Sequence, residues 1–485
     1  MRTLVITPPF LESFRPPISG AIICAVAKQA GHDVIAWAPN IKLYNKIGGE
    51  RFYEMLLQFN GLQPVDPNNE TYLDQFLEDY DYSGFDYILI SIFSQYEIAC
   101  SRKILDILKK RGIRSQIILG GSGVELLYDL GYGRKFGQEM LAQGLCSHYV
   151  IGEGEVALQH IFNGKHDYPG IDGRAPTQIQ DVDSLPHPEY DYYDITEYNY
   201  PRPEQPDLFV YGSRGCVRRC SFCDVGHYWP SYRYRSGKNI AQELLSYWEK
   251  YGIKNFYFTD SLLNGSMKAF AELHESLANM LGLPKLHIAG FAIIRPKNQH
   301  PQEMFDMLAN TGTHLWSIGV EHGSDAMRMD MRKKFSNDDI EWHLEQSERI
   351  GLGNHWLLMP TWVNERMEHH QEYLDMFKRW KRYVASGTIT SLTIAESLSV
   401  INNTPLTQDH HYNMQFHDSN NNVMRELLWT NKDNPELTIK ERHRRSLAIF
   451  EAALANKWPV SEAQRKLLAF ESIVKQTINL TQASK

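Results

Sequence analysis

The first 160 residues alternate short apolar runs with longer amphipathic stretches. Each apolar run is bounded by Pro, Gly or Ser and has the length of a strand, while the stretches between them have helical spacing. Strands separated by helices of about 10 to 15 residues predict a doubly wound, Rossmann-like parallel sheet. The apolar runs are RTLVITPP, HDVIAWAP, FDYILISIF, SQIILGG and HYVIGEGE.

Ligands of a doubly wound sheet bind at the carboxyl ends of its strands. We therefore expect a binding site among four segments that follow the predicted strands: TPPF (7–10), SIFSQ (91–95), GGSG (120–123) and GEGE (152–155).

A second alternating series follows a segment rich in Pro, Asp and Tyr. Six β/α units in about 200 residues favour a (β/α)6-type partial barrel, with its chemistry at the carboxyl ends of the strands. The six strands are predicted at 208–213, 255–260, 286–293, 315–321, 354–360 and 389–396. The predicted domains are a Rossmann-like domain over 1–160, a connector over 161–205, the barrel over 206–405 and a helical C-terminal region over 406–485.

Composition narrows the class of protein. The chain has 485 residues and a net charge of −8, so nucleic acid is not an expected partner. The short basic runs MRKK and ERHRR are typical of solvated helix faces. No window approaches ~18 uninterrupted apolar residues, so we expect no membrane partner. Six cysteines in 485 residues form no disulfide framework, which favours a cytoplasmic location.

Three of the six cysteines lie in one loop after the first strand of the second series. Cys216, Cys220 and Cys223 have the spacing C-x3-C-x2-C. Three thiolates on one loop can hold three corners of a cubane iron–sulfur cluster and leave one iron free. Two alternatives stay open at this point. His227 could complete a four-ligand structural zinc site, and Cys220 with Cys223 could form a redox dithiol.

The cysteine loop, the aromatic Phe222 before its third cysteine and the following barrel resemble the radical S-adenosylmethionine (SAM) superfamily. The resemblance implies that Cys216, Cys220 and Cys223 bind a [4Fe–4S] cluster whose free iron binds SAM. It also implies reductive cleavage of SAM to a 5′-deoxyadenosyl radical, an external electron donor such as flavodoxin or ferredoxin, and a small-molecule substrate.

The same resemblance implies cofactor contacts at the ends of later strands. Asp260 and Asn264 would lie against the methionine moiety of SAM, although both residue types are also common helix N-caps. Glu321 would contact the ribose hydroxyls, and Arg295 a carboxylate of the cofactor or of the substrate. Met359, Trp362 and Asn403 stand where members of the superfamily more usually carry glycines.

The first domain resembles the cobalamin-binding type that precedes the barrel in one branch of this superfamily. The resemblance implies that Ser91, Ser94, Gly120 and Gly121 contact cobalamin, since Gly-Gly lets a backbone approach a bulky ligand. We expect a transferase that moves a methyl group or rearranges its substrate. The alternatives are a cobalamin-free radical SAM oxidoreductase or isomerase, and a zinc-stapled, non-catalytic ligand sensor.

Overall fold

A computed structural model describes residues 1–10, 14–59, 63–125, 135–198, 206–395, 398, 400–401, 404–416 and 429–460. Its internal contacts divide the chain into two compact units. The first comprises 1–211 and 233–257, and the second comprises 212–232 and 258–485. Asn403 and the predicted helix over 462–478 lie outside the described residues.

The first unit contains the predicted doubly wound sheet. Its five parallel strands have the order β2-β1-β3-β4-β5, which is the flavodoxin-like order. The chain reverses direction across this sheet between β1 and β3, so the carboxyl ends of those two strands flank the expected ligand crevice. The strands are β1 (Arg2–Ile6), β2 (Asp33–Trp37), β3 (Tyr87–Ser91), β4 (Gln116–Gly120) and β5 (His148–Tyr149).

Apolar strands explain the core of this unit. β3 is buried along its whole length, as expected for a parallel strand covered on both faces. Residues 39–78, where the alternation predicts no element, form three helices. The helices of residues 1–162 are α1 (Ile18–Gln29), α2 (Pro39–Ile47), α3 (Gly49–Phe59), α4 (Pro67–Glu78), α5 (Ile98–Lys110), α6 (Phe136–Ala142) and α7 (Gly154–Phe162).

The second sheet has six strands in the order β13-β12-β11-β10-β9-β6. The pairs from β10 to β13 are parallel, and each of the six falls where the sequence predicts a strand. The strands are β6 (Asp207–Val210), β9 (Asn255–Phe258), β10 (His287–Ala292), β11 (Thr313–Glu321), β12 (Gly353–Leu358) and β13 (Ile389–Ile394). The order is that of a (β/α)6 partial barrel sheet, and the predicted fold class is confirmed.

Helices separate the strands of this sheet, as the alternation predicts. They are α8 (Val225–Tyr228), α9 (Gly237–Tyr251), α10 (Met267–Ala278), α11 (Gln302–Thr311), α12 (Asp325–Asp330), α13 (Asn337–Ile350), α14 (Met367–Arg379) and α15 (Lys381–Ala385). Two more helices, α16 (Pro405–Gln408) and α17 (Ile439–Ala455), follow β13. Two smaller sheets pair β7 (Ser213–Arg214) with β8 (Arg233–Tyr234), and β14 (Met414–Phe416) with β15 (Trp429–Asn431).

Helix α17 confirms one predicted helix of the C-terminal region. Among the described residues before it, β14 and β15 form an antiparallel pair that the sequence analysis does not predict, because strands of three residues are too short to show a period of two. After α17 the chain reaches β13, where the Leu392 amide donates to the Pro459 carbonyl and Leu392 bridges Val460 in parallel.

Several cysteine and tryptophan side chains pack in the interior. Cys24, Cys100 and Cys146 of the first unit are buried and form no disulfide. Trp316 and Trp356 are fully buried in the second unit. In the part of the chain that is described, no helix combines the length and apolarity needed to cross a bilayer.

Candidate active site

Asp260 fixes the start of the cysteine loop. The residue follows β9 and is 2% exposed. Its carboxylate accepts a hydrogen bond of 2.8 Å from the Gly212 amide and another from the Ser213 hydroxyl. Asp260 therefore sets the path of the backbone that leads to the first cysteine, and its contact with SAM stays a prediction.

Gly215 makes the turn immediately before Cys216. Its φ is +87°, a conformation that glycine adopts without steric cost. A Cβ atom there would lie 2.6 Å from the Ser231 carbonyl oxygen. The loop thus closes tightly on itself between Gly215 and Ser231, which explains the glycine before the first cysteine.

The three loop cysteines are half-buried and lie close enough to influence one another electrostatically. Burial raises the pKa of all three thiols, that of Cys223 to about 12, and the charge of Cys220 raises the pKa of both Cys216 and Cys223 further. The Arg218 amide donates to the Cys216 sulfur at 3.3 Å. Thiolates that repel each other in this way are stabilised when they coordinate a metal centre, because the metal deprotonates the thiols and balances their charge. The donor set therefore fits a cationic iron–sulfur cluster.

The zinc alternative fits the loop less well. No group of three or more His, Cys, Asp or Glu side chains among the described residues is arranged around a position for one metal ion. His227 lies in α8, where its ring packs edge-on against Tyr228 with 5.9 Å between centroids. A tetrahedral zinc needs its donors around one point, whereas each thiolate of a cubane cluster binds a different iron.

Backbone hydrogen bonds and one aromatic contact hold the middle of the loop. The Ser221 amide donates to the Met331 carbonyl at 3.2 Å, and the Leu406 amide donates to the Ser221 carbonyl at 2.7 Å. The Phe222 ring contacts the Trp362 ring at 6.0 Å and 73°. Residues distant in sequence thus fix the loop between its second and third cysteines.

Asn264 and Arg295 form one polar cluster. The Asn264 side chain is fully buried and pairs with both the carbonyl and the amide of Ile293, at 2.9 and 3.0 Å. The half-buried Arg295 donates to the Asn264 and Gly265 carbonyls at 2.8 and 2.7 Å. Asn264 is engaged with the backbone, while its role and that of Arg295 toward SAM stay predictions.

Arg218 is a cationic neighbour that sequence analysis did not single out. Burial lowers the pKa of Arg295, and the nearby charge of Arg218 lowers it further. The Arg218 Nε atom is buried without a hydrogen-bond partner in the described residues. Two adjacent guanidinium groups favour the binding of an anion. The run CVRRC was the available signal for this residue.

Glu321 ends β11 and pairs with a buried lysine. Its φ is +67°, in the left-handed region that is uncommon for a residue other than glycine. Its Oε1 atom lies 3.0 Å from Nζ of Lys333. A side chain on Gly319 would collide with the Glu321 carboxylate and lie 2.9 Å from the Lys333 Nζ atom. Gly319 therefore leaves the space that this ion pair occupies.

The interpretation of MRKK as a solvated face was wrong for Lys333, which is 7% exposed. Arg332 and Lys334 both have left-handed backbone conformations, with φ of +63° and +59°. This turn directs Lys333 inward, although its sequence neighbours carry the same charge.

The run ERHRR was also wrongly assigned to a solvated face. Arg442 and Arg445 of α17 are 6% and 2% exposed. The Arg442 guanidinium lies 3.8 Å from the centre of the Trp429 ring, a cation–π contact. Arg445 donates to the Glu365 carboxylate at 3.0 Å. Partners far along the chain, which local sequence cannot indicate, bury both cations.

Glu365 is the centre of a buried charge network behind β11. Its carboxylate lies 3.0 Å from Nε2 of His322, whose Nδ1 accepts from the Ser324 amide at 3.0 Å. That second bond makes Nε2 the protonated nitrogen, which donates to Glu365. Burial alone would raise the pKa of Glu365, but hydrogen bonds from His322 and His370 outweigh burial and bring the pKa to about 2. The network therefore fixes the position of His322, the residue directly after Glu321.

The residues expected to bind cobalamin differ in their surroundings. Ser91 is 2% exposed and pairs in register with Gly120. A Cβ atom on Gly120 would meet nothing within 4 Å, so this glycine borders open space. Gly121 has φ of +95° and approaches the Ile92 carbonyl too closely for a side chain. The Ser94 hydroxyl accepts from the Tyr96 amide at 3.3 Å. Gly120 is thus the position best suited to a ligand.

Exposed aromatic rings lie beside this edge. Phe93 is 60% exposed and Tyr96 is 39% exposed. The loop that carries them is held by Glu97, whose carboxylate accepts from the Phe93 and Ser94 amides at 2.8 and 2.9 Å. Burial raises the pKa of Glu97 to about 8. Large apolar side chains exposed at the carboxyl edge of such a sheet are typical of a binding surface.

Residues 210–377 match the family model of the radical SAM superfamily, so this part of the chain forms a domain of that superfamily. The cofactors of its members are a [4Fe–4S] cluster and SAM, which agrees with the thiols of the loop. Members act on substrates and need a reductant.

Two curated relatives illustrate the range of similar proteins. The cytidylyl-2-hydroxyethylphosphonate methyltransferase of Streptomyces wedmorensis is 28% identical over 183 residues, 36% of this chain and 33% of that protein. The anaerobic magnesium-protoporphyrin IX monomethyl ester cyclase of Synechocystis sp. is 23% identical over 254 residues, 48% of each chain. The chain therefore spans about half or less of the length of these relatives.

Solved structures share the fold over most of the chain. The radical SAM methyltransferase TsrM from Kitasatospora setae, described with cobalamin and a [4Fe–4S] cluster bound, has a TM-score of 0.61 and 15% identity. The match covers 92% of this chain and 81% of TsrM. The cobalamin-dependent radical enzyme OxsB has a TM-score of 0.61 and 17% identity, over 84% of this chain and 60% of OxsB.

Proposed function

We propose that this protein is a cobalamin-dependent radical SAM methyltransferase that acts on a small molecule. The observation that carries the proposal is the group of three half-buried thiols, Cys216, Cys220 and Cys223, on one loop of a radical SAM domain. Their thiolate charges act on one another, and three ligands leave the fourth corner of a cubane without a cysteine.

In this proposal, the residues around the loop have distinct roles in binding the cofactors. The three cysteines bind the cluster, which once bound supplies the electron that cleaves SAM. Asp260 and Asn264 hold the backbone on either side of the SAM site, since their side chains pair with the chain itself. Arg295 provides a positive charge for a carboxylate.

Cobalamin is proposed for the first unit. Support comes from the flavodoxin-like strand order, the open space at Gly120 and the exposed Phe93 and Tyr96 beside it. The similarity to structures described as cobalamin-dependent or cobalamin-bound adds to this support. We assign the corrin ring to the surface that these three residues border.

The cluster is tested by anaerobic reconstitution and metal analysis. The wild-type protein should bind about four irons and convert SAM to 5′-deoxyadenosine under reducing conditions. The Cys220→Ala variant should lose both properties, while Cys100→Ala, which removes a buried thiol of α5, should keep both. One equivalent of zinc in place of iron, or SAM cleavage by Cys220→Ala, would contradict the proposal.

Cobalamin binding is tested by supplying hydroxocobalamin and measuring retained corrin absorbance after desalting. A Cβ atom at Gly120 meets nothing within 4 Å, so Gly120→Leu should fold, extend into this space and retain less corrin than the wild type. Gly120→Ala should fall between them. Equal retention by all three proteins would place cobalamin elsewhere, and no retention by the wild type would exclude it.

A ring-forming reaction is the second candidate, because the cyclase of Synechocystis sp. matches over a longer segment than the methyltransferase does. The two reactions leave different products of SAM. S-Adenosylhomocysteine alongside 5′-deoxyadenosine supports methyl transfer, and 5′-deoxyadenosine alone supports cyclisation.

A further inference from the structure

Lys333 is a buried ammonium group next to the cysteine loop that the assigned roles do not use. Its side chain is 9% exposed, and its Nζ atom lies 3.0 Å from the Glu321 carboxylate, which is 14% exposed. Removing a lysine from water is unfavourable unless its charge is balanced. The Glu321 carboxylate balances the charge of the Lys333 ammonium, which explains why both can be buried. It does not explain why the pair lies next to the cysteine loop.

Backbone contacts tie this lysine to the cysteine loop. The Met331 carbonyl accepts the Ser221 amide at 3.2 Å, so the turn that carries Lys333 is bonded to the residue between Cys220 and Phe222. The Lys333 amide in turn donates to the Arg328 carbonyl at 2.9 Å. Backbone hydrogen bonds therefore join the turn that carries Lys333 to the loop that carries the thiols, within the second unit.

The backbone is strained on both sides of the ion pair. Glu321, Arg332 and Lys334 have φ of +67°, +63° and +59°. Such conformations are unfavourable for residues other than glycine, and they persist where the surrounding structure demands them, often at functional sites. Three of them converge on a single Glu–Lys pair.

The charges of the pair reach the thiolates. Burial alone would lower the pKa of Lys333, but the charges of Glu321, Cys220 and Cys223 outweigh it and raise the pKa above its usual value. Lys333 in turn lowers the pKa of Cys220, while Glu321 raises it. Lys333 is therefore charged, and its effect on the pKa of Cys220 is opposite to that of Glu321.

We propose that Lys333 and Glu321 set the reduction potential of the cluster held by Cys216, Cys220 and Cys223. Lys333 raises the potential and Glu321 lowers it. Reduction adds one electron from an external donor to a centre already bound by three thiolates. A buried positive charge nearby favours the reduced state, and a negative charge disfavours it. The inference rests on the proposed function, because it requires the cluster.

The test is a redox titration of the reconstituted cluster with dithionite and mediators, followed by electron paramagnetic resonance in the absence of SAM. Without SAM, any contact of Glu321 with the cofactor does not contribute. Lys333→Gln should shift the midpoint potential to more negative values, and Glu321→Gln to more positive values. The double variant should lie between the two, and Lys333→Arg should stay near the wild type.

Lys334→Gln is the matched control, since it removes the same charge from an exposed neighbour and should leave the potential unchanged. Equal potentials in the wild type, Lys333→Gln and Glu321→Gln would overturn the inference. If Lys333→Gln binds no iron, the potential of Glu321→Gln tests the inference instead. A Glu321→Gln potential at or below that of the wild type would contradict the proposal that Glu321 lowers the potential. A wild type without a cluster would defeat the proposed function itself, whereas a functional cluster with unshifted variants defeats only this inference.

Discussion

Helix α17 carries two adjacent arginines, of which one forms a buried ion pair and the other an exposed ion pair. Substituting each in turn compares the contributions of the two ion pairs to stability. Arg445 is 2% exposed and donates to the Glu365 carboxylate at 3.0 Å. Among the described residues, Arg444 forms its ion pair with Glu441 on its own helix, and its side chain is 56% exposed. Arg445→Gln and Arg444→Gln remove the same charge from the same helix.

The magnitude follows from the burial of the ion pair. The side chains of Glu365 and Arg445 are 0% and 3% exposed, and hydrogen bonds from His322 and His370 keep the Glu365 carboxylate ionised at pH 7. Because burial lowers the pKa of His322, that imidazole is neutral at pH 7 and does not replace the charge of Arg445. Breaking a buried pair by removing one partner costs about 3–5 kcal/mol.

We therefore expect Arg445→Gln to lower the free energy of unfolding by about 3 kcal/mol at pH 7. In a unit of this size, about 3 kcal/mol corresponds to a fall in Tm of roughly 6–12 °C. Arg444→Gln should cost less than about 1 kcal/mol, as exposed ion pairs do. The assay is thermal unfolding of the anaerobic, cluster-loaded proteins by circular dichroism.

The comparison of the two variants decides the outcome. Equal falls in Tm would refute the argument that burial of the Glu365 partner sets the magnitude. A fall in Tm confined to Arg445→Gln would support it. Adding Glu365→Gln to Arg445→Gln should then lower the Tm little further, because the second substitution removes the carboxylate that Arg445 neutralises.

Three further predictions concern pH and the site. The stabilising effect of Glu365 is complete above about pH 4.5 and is lost as pH falls toward 2, so Glu365→Gln and the wild type should converge in acid denaturation only as the pH approaches 2. The raised pKa of Glu97, about 8, means that the wild type loses on the order of 3 kcal/mol between pH 5.5 and 8; Glu97→Gln should lack this loss in urea titrations at the two pH values. Gly319→Ala places a methyl group against the Glu321 carboxylate and the Lys333 ammonium, so it should weaken SAM binding at least tenfold in calorimetry while iron content is retained.

The elements of the barrel were predictable because each strand is an apolar run with clear ends. The run predicted over 286–293 contains β10, and the run over 389–396 contains β13. The cysteine loop was equally clear, since three thiols in eight residues leave few explanations. Local sequence carries both signals, and no tertiary contact is needed to see them.

The rest of the site depends on contacts between residues distant in sequence. Glu365 and Arg445 are 80 positions apart, and no period or motif links them. Lys333 looks like its exposed neighbour Lys334, and only the left-handed turn separates their environments. Asp260 was predicted to bind the cofactor, whereas its observed partners are Gly212 and Ser213, which lie 48 and 47 positions earlier.

The parallel bridge between Leu392 and Val460 also bears on solubility. β13 is the last strand of its sheet, and an uncovered strand at such a border offers amides and carbonyls to another molecule. Here the Pro459 carbonyl already accepts the Leu392 amide. The stretch after α17 thus shields that border from pairing with a second copy, and a chain shortened before Pro459 should assemble into aggregates at concentrations where the intact protein stays monodisperse.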